Sequence, residues 1–155
     1  MSHLLFQKAV ATTFAMITLG YAGVSGAHEA GATMDPNGTI ASFTGYALVT
    51  CIDDIGVTDR LVASIKDTSP SLDPPQDKLL VSLQIIKGNR AASTTDPISG
   101  DGNFSPEARV QGGSGVYQIL VNKTIAGARS FIVSYHCMTA SNEHTATEIT
   151  VKQFE

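Results

Sequence analysis

The sequence predicts an all-β fold, a Greek-key type β-sandwich of about seven strands with one disulfide. The first observation is alternation: in Arg129–Cys137, Phe131, Val133, Tyr135 and Cys137 point one way while Ser130, Ser134 and His136 point the other. The second is punctuation. Gly, Pro, Asp and Asn recur between such runs, and no long stretch carries the period of an amphipathic helix. The third is a pair of cysteines, Cys51 and Cys137, both at core-facing positions of their own strands. In an oxidising compartment such a pair forms a disulfide, worth about 4 kcal/mol for so long a loop.

In chain order, residues 1–27 read as a secretory signal peptide, because Lys8 precedes an uncharged run, Ala9 to Val24, that ends in small residues. Ser25 and Ala27 place the cut before His28, and Ala30-Gly31-Ala32 offers a second site before Thr33. The run is too diluted by Thr and Gly for a membrane anchor, so no membrane insertion is expected after its removal. The expected compartment is periplasmic or extracellular. Residues 28–37, rich in Gly and Ala, have no apolar period and read as a flexible N-terminal segment, with residues 38–155 as the β-sandwich domain.

Within that domain, Gly38–Phe43 and Tyr46–Ile52 read as two short strands, the second with Ala47, Val49 and Cys51 on one face. Asp53-Asp54-Ile55-Gly56 reads as a turn, and Asp59–Lys66 as a strand. Three prolines interrupt Ser69–Pro75. Lys78–Lys87 is the clearest central strand, through Leu79, Val81, Leu83 and Ile85. Gly88–Gly102 lacks an apolar repeat and reads as a long exposed loop. A short run at Ala108–Val110, a strand at Gly115–Asn122 and the closing hairpin Arg129–Phe154 complete the expectation.

The net charge of -4 and the absence of any Lys/Arg cluster leave no footprint for nucleic acid or an anionic membrane surface. No nucleophile elbow, His-Glu-x-x-His helix or phosphate loop occurs, so no enzyme activity is expected. The metal-ligating side chains are His28, His136, His144, Met34 and Met138. If the signal is cut before His28, its free amine and imidazole form a chelate that copper(II) favours, and His136 or His144 would complete the set.

Four resemblances follow from these residues. A terminal His28 resembles the histidine brace of secreted copper proteins and lytic polysaccharide monooxygenases, which implies copper as a cofactor. Phe131–Val151, with Tyr135, Cys137 and His144, resembles the ligand loop of cupredoxins. It departs from that pattern in having no His in the strands before Cys137 and no Met after His144. Tyr135-His136-Cys137 resembles the tyrosine corner of immunoglobulin-like domains, without the Trp that packs on their bridge. Gly38–Gly45, Cys51 and the penultimate Phe154 resemble the pilus subunits of chaperone–usher systems, which implies completion of the fold by a neighbour's strand. The expected function is that of a secreted, non-enzymatic, disulfide-stapled domain for binding or assembly, its partner a protein or surface ligand or a second copy. Copper binding and pilus-type assembly are the alternatives.

Overall fold

The computed structural model describes residues 28–70 and 78–154. The signal peptide expected at 1–27 and most of the proline-rich stretch lie outside them. The strands are β1 (His28–Met34), β2 (Thr44–Ile52), β3 (Thr58–Asp67), β4 (Val81–Lys87), β5 (Arg90–Thr95), β6 (Ala108–Gln111), β7 (Gly115–Lys123), β8 (Arg129–Thr139) and β9 (His144–Phe154). Eight of them follow the order β5-β4-β7-β2-β9-β8-β3-β6, all neighbours antiparallel, while β1 pairs with β8 off this path. The two ends of the path meet through side chains: Thr94 Oγ1 donates to Pro106 O (2.6 Å) and Arg90 Nη1 to Gln111 O (2.6 Å).

The result is a nearly closed barrel, which corrects the expected immunoglobulin-like sandwich. Both architectures bury alternate residues of every strand, so periodicity does not separate them. What separates them is β9. It starts on β8, with Cys137 opposite Thr145 and Met138 opposite His144, and then runs along β2 from Ile52↔Ala146 to Gly45↔Phe154. A strand shared in this way joins what would be two layers into one wall.

The alternating residues fill the barrel. Leu61 and Ile65 of β3, Leu83 and Ile85 of β4, Tyr117 and Ile119 of β7, and Phe131 to Cys137 of β8 at alternate positions are all buried. Cys51 and Cys137 are bonded, with Cα atoms 5.5 Å apart. The bridge joins the two strands that flank β9, at the level where β9 passes from one to the other, since Cys51 faces Thr147 and Cys137 faces Thr145. Such a bond suggests an oxidising, extracytoplasmic compartment.

Other elements differ from expectation. Gly38–Phe43 is turn and irregular chain rather than strand, although Phe43 is buried. The exposed loop expected over Gly88–Gly102 contains β5, paired to β4 through the two-residue turn Gly88-Asn89. Gly88, at φ 58°, supplies the positive angle that such a hairpin requires at its first turn position. The 28–37 segment, expected to be flexible, contains β1, in register with β8 from His28↔Tyr135 to Met34↔Arg129.

Cys51→Ala opens a bridge of sequence separation 86 and is expected to cost about 4–5 kcal/mol, lowering the melting midpoint by on the order of 15 °C. Thermal unfolding followed by circular dichroism measures this. A midpoint equal to that of the wild type would show that the bridge does not hold the barrel.

Candidate functional site

Two features converge on β1: an open seam beside it and a histidine cluster at its first residue. The seam exists because β9 leaves β8 after two residue pairs. Cys137 N donates to the Thr147 hydroxyl (3.1 Å), a side chain standing in as the backbones separate. Along the edge of β8 that β9 vacates lies β1, pairing with residues 129–135. The opposite edge of β1 has no strand partner among the described residues, and β9 turns its own second edge toward the same gap.

Between them lies an apolar cleft of about 120 Å³, with Ala30 and Ala32 on the β1 side and Ile149 and Val151 on the β9 side. Val151 is 61% exposed, which an inward-parity strand residue in a closed wall would not be. Phe154 closes one end of the cleft, packing edge-on to Phe43 (5.1 Å between centroids) and beside Phe131 (5.9 Å). Gly45 makes room for it, because a Cβ there would sit 3.1 Å from the Phe154 ring and 2.7 Å from Val121. Gly31 is equally constrained: a Cβ would fall 2.5 Å from the backbone oxygen of Phe131. The bare backbone at Gly31 lets β1 lie against β8.

The inner end of β1 is anchored by charge. Asp35 follows the buried Met34 in a left-handed conformation (φ 47°), and is itself 1% exposed. Its carboxylate accepts from Thr39 N (2.9 Å), Ile40 N (3.0 Å) and Gly127 N (3.1 Å), and pairs with Lys123 Nζ (2.9 Å). Burial pushes this carboxyl up, but Lys123 and the three amides outweigh it and hold it well below the usual range. Nearby, Arg129 Nε faces Asp67 Oδ2 at 3.4 Å, both side chains buried. These pairs were not foreseen, although Lys123 and Arg129 carried a signal: each continues the inward parity of its strand, Lys123 after Val121 and Arg129 before Phe131.

The outer end of β1 carries the histidines. His136 and His144 face outward on β8 and β9, with ring centroids 4.6 Å apart, and His28 lies 6.4 Å from His136. Met138 lines the same surface groove as His136 and His144, along with Glu107 and Asn142, whereas Met34 is buried in the core away from it. One nitrogen of His136, Nε2, contacts Ser134 Oγ at 3.1 Å; the other, Nδ1, is buried without a hydrogen-bond partner among the described residues. Burial, then the neighbouring His144 and His28, push the pKa of His136 down, so its neutral form is favoured. The three sequence-predicted histidines thus share one patch. No trio of His, Cys, Asp and Glu among the described residues already converges as a set of metal ligands. The free amine required by a histidine brace depends on a cut that lies outside those residues.

The acidic turns raise no comparable site. Asp53 accepts from Thr58 N (2.8 Å) and Asp101 from Asn103 N (2.8 Å), bonds that order their own loops.

Asp35→Asn is expected to lower the melting midpoint at pH 7 and to flatten the acid side of the stability profile. The native carboxyl titrates below its unfolded value, so its contribution is complete above about pH 4 and is lost as the pH falls through the native value. Chemical denaturation at a series of pH values measures both effects, and an unchanged acid profile would remove the anchoring role. No family model matches the chain, and no curated protein or solved structure matches it, so the functional reading rests on the chain's own geometry.

Proposed function

We propose that the protein is a secreted, non-enzymatic module that assembles with copies of itself by exchange of β1. The observation that supports this is the lane beside β8: β9 vacates it, and β1 fills it through one edge only. Five of the seven residues of β1 are exposed, so its place is held by backbone pairing with β8 and by the buried Met34 at its inner end. A segment held in this way is replaceable by the same segment of a second copy, which would make the same pairs in the same register.

A neighbour's β1 would bring Ala30 and Ala32 to the same apolar cleft. Head-to-tail exchange would give open chains, and reciprocal exchange would give closed dimers. Subunit assembly through an exchanged strand is also what the resemblance to pilus subunits implies. An extracytoplasmic setting agrees with the disulfide.

Light scattering of the exported wild-type protein across a concentration series tests the proposal, with Gly31→Val as the control. The wild type is expected to form dimers or longer chains, and Gly31→Val to be monomeric, because the added side chain meets the β8 backbone whichever copy supplies β1. A wild type that stays monomeric at every concentration, or a Gly31→Val protein that assembles equally well, would overturn it.

A further inference from the structure

The geometry points to a surface site for a divalent transition metal, copper(II) above all, formed by the imidazoles of His136, His144 and His28. The site is distinct from the seam, and its ligands come from three adjacent strands.

Two imidazole nitrogens on one metal, each bonded at about 2.0–2.1 Å, place their ring centroids about 4.5 Å apart at a right angle and about 5.2 Å apart at the tetrahedral angle. The His136–His144 pair, at 4.6 Å, already has the right-angle spacing. Neither is on a mobile loop: His136 is set by its pairing with Val62 of β3, and His144 by its pairing with Met138. A spacing fixed by the strand ladder needs little reorganisation to receive an ion.

The chemistry of His136 fits the same role. Its buried Nδ1 has no partner among the described residues. In the tautomer with the proton on Nε2, donating to Ser134 Oγ, Nδ1 presents a lone pair, and a hydrogen bond at the second ring nitrogen is what metal-bound histidines commonly make. A solvated surface histidine would not need any of these features.

His28 supplies the third nitrogen. Its exposed ring, at the first residue of β1, lies 6.4 Å from that of His136 and 5.8 Å from that of Tyr135, the residue it pairs with. The cations in the groove are already engaged: Arg109 pairs with Glu107 at 2.7 Å, and Arg60 pairs with Asp59 at 3.0 Å and donates to Thr139 O. Three imidazoles in this arrangement suit copper(II) or zinc(II) rather than calcium or magnesium, which take oxygen ligands. A metal there would tie the outer end of β1 to β8 and β9, opposite the Asp35 anchor.

The test is copper(II) titration of the exported full chain by calorimetry, alongside His136→Ala, His144→Ala and His28→Ala proteins. The wild type is expected to take one ion per chain, with nitrogen hyperfine structure in its electron paramagnetic resonance spectrum. Each variant is expected to bind at least about tenfold more weakly, and copper is expected to raise the melting midpoint of the wild type more than that of any variant. Melting of the metal-free variants controls for folding. A wild type that retains no copper would overturn the assignment, as would three folded variants that bind as tightly as the wild type.

Discussion

The passage of β9 from β8 to β2 is the constraint on which the rest of the structure depends. It converts two layers into a nearly closed barrel, and it opens the lane that β1 occupies. The Cys51–Cys137 bridge lies where β9 changes partner and holds the flanking strands at a fixed separation inside the wall. Beside it, the hydroxyls of Thr58 and Thr145 are hydrogen bonded at 2.8 Å in a buried position, and Thr147 takes the amide of Cys137. These bonds give partners to polar groups that the divergence would otherwise leave without one, as buried polar groups require.

Everything distinctive about β1 follows from that junction. It is attached at its inner end by Met34 and the Asp35–Lys123 network, along one edge by β8, and at its outer end by contacts between His28 and the rings of Tyr135 and His136. The inner anchor is buried charge, costly to break because the remaining partner would be stranded in the core. The middle of the strand has no such hold, and its small side chains cover the cleft lightly. The proposed exchange uses this weak middle, and the proposed metal site would fasten its weak end.

Much of the fold was legible in the sequence, for a reason that also explains what was not. β4, β7 and β8 bury one face against the core, so their apolar residues alternate and can be read, while β3, buried on both faces from Leu61 to Ile65, shows as a near-continuous apolar run. β5 and β1 bury little: Arg90-Ala-Ala-Ser-Thr-Thr95 and His28-Glu-Ala-Gly-Ala-Thr-Met34 carry no strong period, and both are defined by the strands they meet. The Gly88-Asn89 pair is a hairpin signal that the loop reading of Gly88–Gly102 passed over. The choice between sandwich and barrel lay in the path of β9, and a path across neighbours leaves no mark in the periodicity of the strand itself. Of the histidine cluster, the outward parity of His136 and the hairpin position of His144 were readable. The approach of His28 depends on the β1–β8 register, a pairing of residues about a hundred positions apart in the chain.

The most direct measurement of the central claim is native-state hydrogen exchange of the disulfide-bonded protein, read strand by strand. If β1 lies in the vacated lane by one edge, its amides in residues 29–33 exchange at least about a hundredfold faster than those of β3 and the centre of β8, through local opening that leaves the barrel intact. Protection of β1 equal to that of β8, lost only when the whole barrel unfolds, would contradict the account.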